Sequence, residues 1–314
     1  MAPGSGPYTE QITLPSTIGS NAVKTVTFNG NGRTIQFAST DANNRHVIKL
    51  DGADYITFNE LNIVANTGTY GWGMHFINGA DFNNVNLCTI TSSITDITSS
   101  NFQPVVMSNS VTVVTTQGNN GNNNTFIDNT FIGGYYSITM IGNGAGAEAN
   151  GNNLTSNTFR DFYSYGIYLL FQKSAIISTC DISRPNRTAS TSTAAVFMTT
   201  GNLGILIENN RVHNFFDLMP TSTSIMYTFY DAADATAALP NQIVNNVVYN
   251  IGHNGTFYGS YNAGGDYLNV YHNTFSMDNT GSTAGATYGI YQTTAATGLN
   301  YRNNMITISR AVQV

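Results

Sequence analysis

The stretch Ile127-Asp128-Asn129-Thr130-Phe131 recurs as Thr155-Ser156-Asn157-Thr158-Phe159. It recurs more loosely as Glu208-Asn209-Asn210-Arg211-Val212, Asn245-Asn246-Val247-Val248, His272-Asn273-Thr274-Phe275 and Asn303-Asn304-Met305-Ile306. In each copy an Asn is followed two residues later by an apolar side chain, inside a segment that alternates apolar and polar. Self-similarity at this period is the mark of a coil that turns a corner and stacks on its previous turn. Asn suits such a corner because it tolerates left-handed backbone. Its amide can also donate to the Asn carbonyl one rung on, so that buried polar groups stay paired.

A second duplication extends the register. Asp51-Gly52-Ala53-Asp54-Tyr55-Ile56-Thr57-Phe58-Asn59-Glu60-Leu61-Asn62-Ile63 matches Asn78-Gly79-Ala80-Asp81-Phe82-Asn83-Asn84-Val85-Asn86-Leu87-Cys88-Thr89-Ile90 at an offset of 27 residues. One corner column follows: Leu61, Cys88, Asn129, Asn157, Cys180, Asn210, Asn246, Asn273 and Asn304, spaced by 23 to 41 residues, with the longest loop expected within 91–121. Nine rungs at about 4.8 Å make a rod of about 43 Å. This irregular spacing predicts an all-β, right-handed parallel β-helix of about nine or more coils with an internal Asn ladder, running as a single domain over 24–314. Residues 1–23 read as an N-terminal segment or cap. Cys88 and Cys180 share the column three rungs apart, about 14 Å, beyond the reach of a disulfide, so both are expected as free, buried thiols.

Composition narrows the function. Charged residues make up 9% of the chain, against the usual ~25%. The 41% apolar content argues against disorder. A net charge of −6 with three lysines (Lys24, Lys49 and Lys173) excludes the basic patch that nucleic acid demands. No apolar run reaches the ~18 residues of a membrane span, so no membrane insertion is expected. The start, Met1-Ala2-Pro3-Gly4-Ser5-Gly6-Pro7, lacks the basic and apolar regions of a signal peptide. The Lys-poor, Asn/Thr/Gly-rich composition nevertheless reads as extracellular. The expectation is a bacterial surface or secreted domain, monomeric within a longer precursor.

Between the corners a second strand recurs. If Met74, Ile138, Ile167, Val196, Ile225, Thr256 and Ile290 point inward, alternation turns His75, Thr139, Tyr168, Phe197, Met226, Phe257 and Tyr291 outward. Folding does not require so apolar an outer column. Tyr168, Phe197, Met226, Phe257 and Tyr291, with Tyr230 and Tyr261 beyond the strand ends, are therefore the candidate glycan-binding strip. The alternative is that a loop within 182–195 or 218–224 covers it. A one-residue slip in register would invert the strip. An ice-binding face needs a regular threonine grid, which is missing.

The repeats resemble the right-handed parallel β-helix of the pectin-lyase-like superfamily over roughly residues 24–309. The segments Tyr8-Thr9-Glu10-Gln11-Ile12, Val26-Thr27-Phe28-Asn29-Gly30-Asn31-Gly32-Arg33-Thr34-Ile35 and Leu50-Asp51-Gly52-Ala53-Asp54-Tyr55-Ile56-Thr57-Phe58 are similar to β-helix regions of large modular surface proteins of Gram-negative bacteria, often exported by the type IX route. That resemblance implies an adhesive or polysaccharide-handling module.

A lyase of this superfamily would need a Lys or Arg base beside a calcium-binding carboxylate cluster. A hydrolase would need paired carboxylates ~6.5–9.5 Å apart. Reading five residues past the outer column places Lys173, Asn202, Asp231 and Asn262 on successive rungs, with Asp234 nearby and Asp217 in the preceding loop. Lys173, Asp231 and Asp234 are the weak catalytic candidates, set against their reading as solvated surface charges. The hydrolase family's Asn-Thr-Asp, Asp-Asp, Gly-His-Gly and Arg-Ile-Lys motifs are missing; Gly252-His253-Asn254-Gly255 shares little with the third. His46, His75, His213 and His272 form no metal-ligand spacing. No cofactor is expected beyond calcium on scattered carboxylates such as Asp51 with Asp54. Three functions remain: a non-catalytic module binding polysaccharide or a cell-surface glycan, a lyase or hydrolase acting on acidic glycans, and a spacer. The strip and the low charge favour the first.

Overall fold

Residues 1–2, 4–16 and 19–310 are described by a computed structural model. The strand Ile56–Ala65 shows how the sequence builds a coil. Ile56, Phe58, Leu61, Ile63 and Ala65 are buried, while Thr57, Asn59, Asn62 and Val64 face outward. Strict alternation breaks between Phe58 and Leu61, where Glu60 takes a left-handed φ of 53° and turns the chain through a corner. Later coils repeat the plan as two short strands flanking that corner, Thr125–Ile127 with Thr130–Ile132 and Asn153–Thr155 with Thr158–Arg160. These strands stack in parallel register into a 19-stranded sheet. The third strand of each coil joins a 10-stranded parallel sheet that runs from Ile12–Pro15 to Thr287–Gln292. The result is a parallel β-solenoid of about ten coils, with no helix among the described residues. The N-terminal segment belongs to the first coil: Tyr8 and Thr9 pair with Ile35 and Gln36, and Ile12 to Pro15 with Ile48 to Asp51.

The corner chemistry is specific. Asn246 is 1% exposed. Its Oδ1 accepts from the N–H and the side-chain amide of Asn210, both at 2.9 Å. Its Nδ2 donates to the carbonyl of Ile207 (3.0 Å) and to Asn273 Oδ1 (2.9 Å). The same contacts join Asn129 to Asn157 and Asn273 to Asn304. Cysteine fills the position with weaker bonds. The Leu61 N–H donates to Cys88 Sγ at 3.4 Å, and the Cys180 thiol donates to the Leu154 carbonyl at 3.5 Å. Both thiols are free and buried, and burial pushes them up to about 11 and about 12.

The left-handed residue is not the ladder Asn but the one before it. Glu60, Leu87, Asp128, Ser156, Thr179, Asn209, Asn245, His272 and Asn303 carry φ of 53–57°. Rung stacking imposes that backbone on whatever residue stands there. The ladder Asn is selected for its amide. A second corner column went unread in the sequence: the Asn83 N–H donates to Asn124 Oδ1 (2.9 Å) and the Asn124 N–H to Asn152 Oδ1 (3.0 Å).

Replacing Asn246 by Ala strands the Asn210 N–H and the Ile207 carbonyl in a dry interior, at about 1–3 kcal/mol for each group. The Asn246→Ala chain is expected to lose about 3 kcal/mol in chemical denaturation. Asn246→Cys, which reproduces the occupant of two other rungs, should lose markedly less. Equal losses would refute the assignment of the corner's stability to these bonds.

Candidate functional site

The outer surface of the 10-stranded sheet carries a repeated local pattern: Tyr165-Gly166-Ile167-Tyr168, Tyr227-Thr228-Phe229-Tyr230, Tyr258-Gly259-Ser260-Tyr261 and Tyr288-Gly289-Ile290-Tyr291. Residues three apart on a regular strand face opposite sides. Here the small residue between them lets both tyrosines reach one face, and the rings of Tyr258 and Tyr261 meet at 4.8 Å. Glycine is needed at two of these points. A Cβ on Gly166 or Gly259 would lie 2.6 or 2.4 Å from a carbonyl oxygen of the next rung.

Two columns of rings result. Tyr136, Tyr165, Phe197, Tyr230, Tyr261 and Tyr291 stack at 5.2, 4.2, 4.2, 5.2 and 5.6 Å with planes within 20°. Beside them Tyr227, Tyr258 and Tyr288 stack at 5.3 and 5.1 Å, each pair within 8°. Ala194 stands in register with Tyr165 and Tyr227 and leaves room for Tyr165 to pile on Phe197. Tyr168 lies against Phe197 at 5.5 Å. All these rings are partly exposed. The loops within 182–195 and 218–224 bind each other instead. Ser190 hydrogen-bonds the hydroxyls of Ser222 and Ser224, while Arg184 is buried against Phe162, Phe215 and Phe216.

Of the residues read as the strip, Tyr168, Phe197 and Tyr291 lie on this face. Met226 and Phe257 do not: both are fully buried. The strand register pairs Phe197 with Tyr230 and Tyr261 with Tyr291, four residues beyond the positions assumed. Met226 and Phe257 begin their strands as inward anchors, so an apolar-to-apolar alignment slipped there. Near the N-terminal end the same outer column is closed. His75 is buried and bonds through Nε2 to the Ser108 carbonyl at 2.9 Å, and Thr139 is buried. The strand Phe102–Met107, hidden in sequence between long loops, supplies the rung between them.

Lys173, Asp231 and Asp234 do not converge. Lys173 pairs with Leu203 on the next rung, whereas Asp231 pairs with Met198 and Asn262, so the alignment that joined them through Asn202 is offset. Asp234 is exposed. Asp231 is fully buried, with Oδ1 accepting from the Ala233 N–H (3.0 Å) and Oδ2 unpartnered. Burial pushes its carboxyl up to about 7, and the carboxylate of Asp234 adds to the rise. One rung on, Asn262 makes the parallel turn: its Oδ1 accepts from Gly264 N–H and its Nδ2 donates to the Gly265 carbonyl, both at 2.8 Å. Asp231 thus occupies an amide's position.

A charged cluster that the sequence did not reveal sits on the other sheet. Asp181 bridges Arg211 Nη2 (2.7 Å) and His213 Nε2 (3.0 Å). Tyr249 stacks on the imidazole at 5.0 Å. His213 Nδ1 faces Asn214 Oδ1 at 2.5 Å, and Asn214 is oriented by donating to Asp217. Both ring nitrogens thus face acceptors, and the bond to Asp181 raises the histidine's pKa. Asp51 is bonded by Asn78 (2.6 Å) and paired with Lys49 (3.2 Å), and Asp54 accepts from the Asp81 N–H (2.7 Å). No group of three or more His, Cys, Asp or Glu is gathered for a metal among the described residues.

No family model matches the chain, and no curated protein matches it. Solved structures share its fold. The structure titled PfbA, a surface adhesin of Streptococcus pneumoniae, superposes with TM-score 0.57 at 10% identity, covering 94% of this chain and 72% of that one. A second PfbA structure gives 0.51 at 12%, covering 96% and 91%. Pectate lyase Pel9A gives 0.40 at 14%, covering 97% and 72%. The likeness is one of fold: a parallel β-helix.

The buried carboxyl of Asp231 yields a signed test. Its folded pKa lies above the ordinary 3.8, so the unfolded chain releases this proton first and stability falls as pH rises from about 4 to about 7. Asp231→Asn removes that penalty. Its melting temperature should match wild type near pH 4 and exceed it increasingly up to pH 7. A constant difference across the range would refute a buried, proton-holding acid.

Proposed function

We propose that this chain is a non-catalytic binding module of the cell exterior that holds polysaccharide or a cell-surface glycan on its tyrosine face. The carrying observation is the face itself. Six stacked rings, flanked by three more, remain partly exposed across consecutive rungs, although the fold has no need of aromatic side chains there. A contiguous exposed apolar surface of this extent marks an interaction site. Tyrosine, with its apolar body and polar tip, is the residue type such sites favour. The fold neighbour named as a surface adhesin supports a place at the cell surface. Catalysis draws no support from Lys173, Asp231 and Asp234, which are separated, inward-facing or solvated.

Affinity electrophoresis of the purified chain through gels of neutral and acidic polysaccharides, with calcium and then with chelator, tests this reading. Retardation without degradation is expected in at least one gel. The Tyr230→Ala and Tyr261→Ala chains should bind at least tenfold more weakly, about 1.4 kcal/mol, with folding checked by thermal melting. Free migration of the wild type through every gel refutes the proposal and leaves a spacer.

A further inference from the structure

The rings of this face are piled like coins along the solenoid axis. Within 4° of parallel at 4.2 Å for Tyr165 on Phe197, and within 8° at 5.3 Å for Tyr227 on Tyr258, each interior ring spends both its faces on neighbours. What remains for solvent is ring edge and phenol oxygen. Among the described residues, Tyr288 and Tyr291 on the last rung, and Tyr227 where Ala194 stands in register, lack a ring stacked on one side. The phenols of Tyr227, Tyr230, Tyr258, Tyr261, Tyr288 and Tyr291 make no hydrogen bond within the described protein and are not enclosed. They form two rows of hydroxyls that repeat with the rungs at about 4.8 Å, and Phe197 parts the Tyr230 row from the phenol of Tyr165.

We propose that this face recognises an uncharged, hydroxyl-rich polymer, a neutral glycan lying along the solenoid axis, through hydrogen bonds to the rows of phenols rather than by laying sugar rings on aromatic faces. The inference rests on the glycan-binding reading and specifies its chemistry. Charge supplies the first argument. The six strands from Tyr136–Ile141 to Thr287–Gln292 carry no Lys, Arg, His or Glu, and their one carboxyl, Asp231, is turned inward. An acidic glycan finds no cation on these strands, whereas a neutral polyol needs none. Geometry supplies the second. Sugar stacking requires an open π face, and the interior rings have none to offer. A polymer whose hydroxyls recur on the scale of one sugar ring meets an equivalent donor and acceptor on each rung. The phenols of Tyr227, Tyr230 and Tyr258 stay protonated at neutral pH: burial pushes Tyr227 up to about 12 and raises Tyr230 and Tyr258 as well.

Tyr→Phe substitution separates the two modes, because it keeps the ring pile and removes only the oxygen. The chain carrying Tyr230→Phe, Tyr258→Phe and Tyr261→Phe together is compared with wild type in gels of hydroxyethyl cellulose, galactomannan, dextran and polygalacturonate. The expected result is retardation of wild type by at least one neutral polymer and not by polygalacturonate. The triple variant should bind at least tenfold more weakly, its melting temperature unchanged. Phe197→Tyr, which completes the hydroxyl row, should bind more tightly. If the triple variant is retarded as wild type is, or if polygalacturonate alone retards, this inference fails while glycan binding stands. If no gel retards wild type, both fail. A dimer in sedimentation that the triple variant loses, with no retardation, would assign the face to a second copy of the chain.

Discussion

The structure depends on one arrangement: a side-chain amide at a corner that bonds to the rung before it and the rung after it. The Asn246 amide accepts from the Asn210 backbone and donates to the Ile207 carbonyl, then donates to Asn273. Main-chain bonds of parallel strands already join the coils, but a corner interrupts the ladder and leaves polar groups facing a dry interior. An unpaired group there costs about 1–3 kcal/mol, repeated at every coil. The amide removes that cost with a donor and an acceptor in one plane. Cysteine can stand in at rungs 88 and 180 because a thiol also donates and accepts, although weakly.

Fixing the corner fixes the face. With each coil locked in register on the last, equivalent side chains are held about 4.8 Å apart, close to the preferred separation of parallel-displaced rings. Tyrosines placed in register therefore have little choice but to pile. The paired tyrosines of successive strands add a second column to the first, and glycine at 166 and 259 lets the next rung approach where a Cβ would meet its carbonyl oxygen. The ring pile and the amide ladder are thus two consequences of the same register, one inside the wall and one outside.

The ladder was legible in sequence because it is written in residue identity: a buried amide has few substitutes, so Asn recurs and can be aligned. The left-handed position before it was not legible. Backbone conformation there is imposed by stacking, and Leu87, Thr179 and His272 accept it as Asp128 does. The outer column was half legible for a related reason. Tyr168, Phe197 and Tyr291 follow from simple alternation. Met226 and Phe257 entered in error because the tyrosine pattern breaks alternation, and a four-residue slip exchanges one apolar residue for another. The Asp181–His213 pair lies on strands far apart in sequence, each carrying an unremarkable charge. Pairing across rungs becomes visible only when the coil lengths between them are known.

A solenoid repeats one chemistry at each rung, which bears on what its surface is suited to do. Catalysis needs unlike groups brought together once: an acid, a base and a way to stabilise charge, held at one place. That requires a break in the repeat with its groups directed outward. The breaks in this chain do otherwise. Asp231 stands where the next rung carries Asn262, yet its carboxyl is turned inward into the turn it completes. The ring nitrogens of His213 are both engaged, by Asp181 and by an Asn214 side chain that Asp217 orients. What repeats without interruption from Tyr227 to Tyr291 is a surface of like groups at equal spacing. Such a surface adds small, equivalent contacts along a partner that is itself repetitive, so affinity grows with the number of rungs engaged rather than with the perfection of any one contact.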